Sequence, residues 1–435
     1  AYTGLPGDVF TARLSVEDTN TGETASNTYF VQIRERTLET EVNVAIDEGL
    51  WYLHKYQTRY TSGGAELGDW RSRSGCNACS GNYGITAANV NAFEVNGHVE
   101  NGVDSNPYTE TVARGMRRIF GYLTTESIGN RTYPAPTGTV NPDSNGNGYG
   151  VRLNQSQYVY QGGMFMDVII ASGTPDAITT TGAAPSGGNP GILGRTYASI
   201  VQDMADSYAH GQYNGNAANR GGWTYGWNQA RLDNSVSQWA AIGLIPAERN
   251  WGLVVPDWVK RENEVALAYS QFTDGRFGYS GRNSAWGYFA TTPSGMVQMV
   301  MDGIGRGDVR WDRSETYLRN TFGNTGGAGS AIKNYYYGLF SFVKSMRLHE
   351  PPIDLLGGDY DWYNAEASQG AFTDGVARTL VGDQNAAGYW RGHNFSSSQY
   401  PFETAWAILM LGQTLFESGS PVAVAQALPN PGVAG

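Results

Sequence analysis

Gln271-Phe272-Thr273-Asp274-Gly275-Arg276-Phe277-Gly278-Tyr279 joins a glutamine, an Asp-Gly turn and flanking aromatic residues, and its parts return elsewhere in the chain. Gly68-Asp69-Trp70, Gly221-Gly222-Trp223-Thr224-Tyr225 and Asp383-Gln384-Asn385-Ala386-Ala387-Gly388-Tyr389-Trp390 repeat the glycine and the aromatic ring. Glycine admits a tight turn that other residues resist, and a large ring beside it can pack against a neighbouring element. Each loop is expected to precede a helix that starts with a small polar residue, as in Asp233-Asn234-Ser235-Val236-Ser237-Gln238-Trp239-Ala240 and Glu403-Thr404-Ala405-Trp406-Ala407-Ile408-Leu409. Around the loops the pattern is helical: Leu38, Val42, Ala45, Ile46, Gly49 and Leu53 share one face, as do Phe402, Ala405, Trp406, Leu409 and Met410. Self-similarity at such spacings marks a repeat architecture.

These loops resemble those of the squalene cyclase and protein prenyltransferase β-subunit superfamily. The resemblance covers most of residues 37–418 and is weaker over 85–200 and 310–370. It implies a mainly α chain, an α/α toroid in which an inner and an outer ring of helices are joined as hairpins. On this reading the loop tryptophans and tyrosines are first of all core.

The ends read differently. Val9-Phe10-Thr11-Ala12-Arg13-Leu14-Ser15-Val16 and Thr28-Tyr29-Phe30-Val31-Gln32-Ile33 alternate in character around Asp18-Thr19-Asn20-Thr21-Gly22, which predicts a β-hairpin. It resembles the C-terminal hairpin of PKD-type immunoglobulin-like domains. Ser420-Pro421-Val422-Ala423-Val424-Ala425 reads as the opening strand of another such domain. The expected organisation is therefore a sandwich fragment over 1–36, the toroid over 37–418, and a linker with a first strand over 419–435. No signal peptide is recognisable at the start, so the chain is expected to begin within a longer protein.

The 435 residues include 58 Gly, 27 Tyr and 12 Trp but only 16 % charged side chains, a balance that points to an extracellular or cell-surface protein. A formal charge of −11 argues against nucleic acid, which demands concentrated Lys and Arg, and no apolar run is long enough to span a membrane. Cys76 and Cys79 are the only cysteines. Their spacing admits a redox motif, half of a zinc site or a small disulfide pinning the loop, the last of which suits an extracellular chain.

The chemistry of the resembled families makes demands that can be checked. The Asp-x-Asp-Asp acid of class II terpenoid cyclases is missing, the nearest string being Asp359-Tyr360-Asp361-Trp362. The zinc ligands of prenyltransferases have no counterpart on helix starts. Cys76 is followed by Asn77 and Cys79 by Ser80, so the Cys-Gly-Glu-Gln of thioester domains is absent too. Carbohydrate chemistry demands no fixed string: well-placed Asp, Glu, His, Tyr or Arg side chains, in a cavity whose aromatic rings stack sugars, can serve it. Trp223, Tyr225, Trp227, Asp233, Trp286, His393 and Glu403 are the candidates, although Asp233 and Glu403 also stand where acids complement a helix start.

Asp143-Ser144-Asn145-Gly146-Asn147-Gly148-Tyr149 matches the first half of a calcium loop, with Asp143, Asn145 and Asn147 as side-chain ligands and the Tyr149 carbonyl as the fourth. Such strings also make ordinary turns. The leading expectation is a non-catalytic structural or adhesive module of an extracellular, filament- or surface-layer-forming protein, stabilised by calcium. Its partners would be further copies of itself, neighbouring immunoglobulin-like domains, or glycans. The alternative is a toroid that binds or degrades extracellular polysaccharide.

Overall fold

The computed structural model describes residues 4–70, 83–103, 106–282, 287–324, 331–392 and 400–412. The N-terminal hairpin is formed by β1 (Val9–Glu17) and β2 (Thr24–Gln32), antiparallel with Val9 opposite Gln32 and Glu17 opposite Thr24. Asp18 closes the turn by accepting the Asn20 and Thr21 amides on its carboxylate. Val9, Leu14 and Val16 are each more than half exposed, at 57, 57 and 55 %. The proposed strand over 420–425 lies outside the described residues.

The rest of the described chain is mainly helical. The helices follow in pairs: α1 (Leu38–Tyr56) and α2 (Tyr83–Glu94), α3 (Thr109–Gly121) and α4 (Tyr158–Ala171), α5 (Tyr197–Gly211) and α6 (Asn234–Trp251). Then come α7 (Asp257–Ser270) and α8 (Tyr288–Met301), α9 (Val309–Thr321) and α10 (Tyr336–Leu348), α11 (Val376–Asp383) and α12 (Tyr400–Leu411). Small antiparallel pairs fill the connections: β3 (Thr58–Ser62) with β4 (Ala65–Asp69), β5 (Leu123–Ser127) with β8 (Tyr149–Leu153), and, between them, β6 (Arg131–Thr132) with β7 (Thr139–Val140).

The second helix of each pair is buried along most of its length. Every residue from Gly84 to Glu94 on α2 and from Pro401 to Leu411 on α12 is buried, whereas α9 buries only Trp311, Ser314, Glu315 and Leu318. Accordingly α2 packs on α4, α4 on α6, α6 on α8, α8 on α10 and α10 on α12, and α12 returns to α2. Small residues permit the close approach: a Cβ at Gly163 of α4 would overlap the Trp239 carbonyl of α6. The middle of this cycle is filled by stacked rings from non-consecutive helices. Trp406 lies 4.9 Å from Phe340 and 5.9 Å from Trp239, ring to ring, and all three are buried.

The recurrent loops explain how the first helices of the pairs are joined. Trp70, Trp223 and Trp390 donate their indole N–H to the Leu53, Tyr208 and Leu380 carbonyls at or near the end of the preceding helix, at 2.7, 3.0 and 2.7 Å. The backbone N–H of each loop aromatic is accepted by a hydroxyl one turn into the next helix: Trp70 by Thr86, Trp223 by Ser237, Phe277 by Thr292 and Trp390 by Thr404. The small polar residue expected at the helix start thus belongs a turn later. Of the four helices after these loops only α6 starts with one, Asn234, while α2, α8 and α12 start with tyrosine.

The glutamines reach forward to the next pair. Gln57, Gln212, Gln271 and Gln384 follow directly on α1, α5, α7 and α11, and their amides donate to Thr111 O on α3, Val259 O on α7, Arg310 O on α9 and Ala45 O on α1. Gly221, Gly275 and Gly388 sit at φ +89°, +92° and +88°, where L side chains are strained. A Cβ at each would also collide with the backbone of Glu262, Arg313 and Glu48 respectively, on those same next helices. The Gln384–Ala45 bond ties the end of α11 to α1 across 339 residues of sequence.

Candidate functional site

The α2, α4, α6, α8, α10 and α12 helices pair residues at matching distances from their starts. Gly163 meets Trp239, Gly338 meets Phe289 and Ala290, and Asp167 bonds Asn91 and Lys344. Their N-termini therefore share one end of the cycle. Tyr83, Tyr158, Tyr288, Tyr336 and Tyr400 are the first residues of five of these helices, which concentrates phenol groups at that end.

The most developed cluster there surrounds Asp233. Asp233 caps α6: its Oδ1 accepts the Ser235 and Val236 amides at 3.0 and 3.3 Å and the Ser235 hydroxyl at 2.6 Å. The Tyr279 hydroxyl bonds both Asp233 and Tyr225. Tyr225 is 39 % exposed while Asp233 is 1 % exposed, so the chain Tyr225, Tyr279, Asp233 runs from solvent inward. The Tyr160 ring meets Tyr225 edge-on at 6.0 Å, and Tyr335 lies close enough for Tyr225 to affect its ionisation. Tyr337 donates to the Ser235 carbonyl. Burial raises the Asp233 carboxyl above the usual range, opposed by the bonds from Ser235 and Tyr279. The Tyr279 phenol is raised by burial and then by the Asp233 charge, so it stays a donor.

Among the other sequence candidates, Trp223 is core, 1 % exposed. Trp227 donates its indole N–H to Glu126 of β5 at 2.6 Å and packs on Tyr158 and Tyr208, so it ties its loop to β5 and the α4 and α5 helices. Glu403 is buried in the first turn of α12 beneath Gly392 and near Tyr336. Trp286, His393, Cys76 and Cys79 lie outside the described residues. Of the seven cavity candidates, Tyr225 and Asp233 are brought into one cluster, and Tyr160, Tyr279 and Tyr335 are the members that sequence reasoning missed. Tyr279 closes the best repeat loop, and there its aromatic character signalled core packing, not a hydroxyl between two partners.

The Asn/Gly loop is held by its own side-chain oxygens and by α5. Asp143 accepts the Gly146, Asn147 and Gly148 amides, Asn145 Oδ1 accepts the Asn147 amide, and Asn147 Oδ1 accepts the Tyr149 amide at 2.7 Å. Asn145 and Asn147 turn their amide nitrogens toward Asp203 of α5, at 2.6 and 3.0 Å, and the Ser144 amide bonds Asp206 at 3.1 Å. Tyr149 begins β8, opposite Ser127. In this arrangement the side-chain oxygens expected to hold calcium are occupied by backbone N–H groups. Among the described residues no group of three or more His, Cys, Asp or Glu side chains is placed to hold a metal, and no helix is long and apolar enough to cross a membrane.

No family model matches the chain, and no curated protein matches it by sequence. Among solved structures, a family 76 glycoside hydrolase from a bovine Bacteroides thetaiotaomicron strain is similar at 7 % identity and a TM-score of 0.49, covering 93 % of this chain and 83 % of that one. The type II terpene cyclase MstE from Scytonema is similar at 11 % identity and a TM-score of 0.45, covering 87 % and 98 %. Likenesses this distant leave the activity to be judged on this chain's own residues.

Proposed function

We propose that the chain is a double-ring α/α toroid that binds polysaccharide at the end where its inner helices begin, as a module of an extracellular or cell-surface protein. The observation that carries this is the exposed Tyr225 ring backed by Tyr279 and the buried Asp233. An aromatic face offers a sugar ring an apolar platform, and phenol hydroxyls and a carboxylate beside it supply the few directional hydrogen bonds that fix a polar ligand. Binding is favoured over cleavage because Trp239, Phe340 and Trp406 fill the middle of the ring, and Asp233 spends one oxygen on capping α6. A hydrolase needs a second carboxyl group across an open cleft from the first.

Retention of the whole chain in gels containing soluble polysaccharides tests the proposal, with reducing-end release measured on the same samples. Retention by at least one neutral or acidic glycan is expected, weakened about tenfold in Tyr225→Ala, the size of roughly 1.4 kcal/mol of lost stacking. Wild-type protein that no glycan retards would overturn it. A second reading is supported by the filled ring and the exposed hairpin: a purely structural unit strung between immunoglobulin-like modules. That reading gains if the glycan screen is blank and the chain assembles into filaments.

A further inference from the structure

At the opposite end of the inner helices lies a group of buried oxygens that no donor among the described residues satisfies. Glu94, the last residue of α2, is 3 % exposed, and neither carboxylate oxygen has a hydrogen-bond partner. Asn91, one turn earlier and also 3 % exposed, donates its amide N–H to Asp167 Oδ2 at 2.9 Å and leaves its Oδ1 unpartnered. Turning that amide over would set oxygen against oxygen, so its orientation is fixed by Asp167. Asp167 Oδ2 also accepts Lys344 Nζ at 3.1 Å, while its Oδ1 is buried without a partner.

The neighbouring charges are already matched. Lys344 pairs with Asp167. Glu100 takes the Tyr197 hydroxyl at 2.7 Å and faces Arg117. Arg347 donates to the Gly412 carbonyl and faces Asp354. Glu94 is the charge left over, next to Glu100 and Asp167. An unpaired carboxylate in such a place costs several kcal/mol, and buried native oxygens are as a rule satisfied. All the vacant positions are acceptors, and a cation among them would satisfy them together and supply the charge that Glu94 lacks.

We propose that a singly charged hard cation, sodium in the first instance, is held between α2 and α4 by the Glu94 carboxylate, Asn91 Oδ1 and Asp167 Oδ1. Oxygen-only ligation suits a hard ion, and a single positive charge brings the group of Glu94, Asp167 and Lys344 to neutrality. The ion links the end of α2 to α4, inside the cycle of inner helices, so its binding is a contribution to folding that the sequence motifs do not encode.

Thermal unfolding of the whole chain in sodium chloride and in choline chloride, at matched ionic strength, tests this with wild type and Glu94→Gln. Wild type is expected to show a Tm that climbs with sodium concentration by mass action, and Glu94→Gln the same Tm in both salts. A wild-type Tm indifferent to the choice of salt would overturn the proposal, as would a sodium response that survives the substitution. Should Glu94→Gln not fold, sodium NMR relaxation on wild type gives the second readout: saturable enhancement is expected, and its absence means that Glu94 is simply protonated.

Discussion

Two kinds of joint connect the first helices of consecutive pairs, and they differ in what they hold on to. At four of them, α1 to α3, α5 to α7, α7 to α9 and α11 to α1, a glutamine donates to a main-chain carbonyl of the next helix, beside a glycine and a buried aromatic residue. At the other two, longer connections fasten themselves by side chains. Between α3 and α5 the β5–β8 sheet packs on α5, and the loop at 143–149 bonds Asp203 and Asp206. Between α9 and α11 the connection is anchored on Arg319, which bonds Asp359 at 2.7 Å, and on Glu315, which accepts the Gly357 amide at 2.8 Å. A joint that addresses backbone can recur with little change, because every helix presents the same carbonyls. A joint that addresses particular side chains is specific to its place.

The largest expected effect lies at the backbone-addressed joints. Gly221→Ala puts a Cβ into the Glu262 carbonyl at a left-handed φ, and a loss of about 4 kcal/mol or failure to fold is expected. Denaturant unfolding checks it, with Gly148→Ala in the side-chain-addressed loop as the comparison. Gly148 also has a positive φ of +79° but nothing within 4 Å of its Cβ position, so about 1 kcal/mol is expected there. Equal losses would break the distinction. Next, Trp390→Ala empties a buried indole site and removes the bond to Leu380 O, for about 3–5 kcal/mol by the same measurement. Gln384→Ala deprives the Ala45 and Gly388 carbonyls of their donor, and about 1–3 kcal/mol is expected.

The difference between the joints also explains how much could be read from the sequence. Gln271 and Gln384 stand close to their glycines, and the motif was visible there. Gln57 and Gln212 play the same part, but ten residues, most of the β3–β4 hairpin, lie between Gln57 and Gly68, and eight lie between Gln212 and Gly221. That spacing hid them. The hairpin over 9–32 was legible because alternation is a local signal. For the loop at 143–149 the bonds to Asp203 and Asp206, some sixty residues away on α5, could not be read from the string itself. The ring stack of Trp239, Phe340 and Trp406 comes from three separate pairs, so each residue reads as ordinary core. Likewise the Tyr279 ring reads as core packing, and its hydroxyl's position beside Asp233 needed the fold.

A dependence on pH sharpens the comparison from the other side. Burial raises the Asp206 carboxyl to about 7, against an ordinary 3.8. Between those values the unfolded chain has released a proton that the folded chain keeps, so stability falls as pH rises through this window and levels off above about 7. Asp206→Asn is expected to flatten the part of the Tm decline between pH 5 and pH 7 that belongs to this joint, leaving the glutamine joints untouched. A chelator is expected to leave the Tm unchanged, since bonds to Asp203 and Asp206 already hold the loop. A drop on chelation would support the calcium reading.

Closure of the cycle through Gln384 is tested most directly by hydrogen exchange of the native chain, comparing wild type with Gln384→Ala. Faster exchange is expected in two segments far apart in sequence, α11 and the amides around Ala45 and Glu48 of α1, with α3 and α4 unchanged. Acceleration confined to α11, with α1 as protected as before, would contradict a ring that closes there.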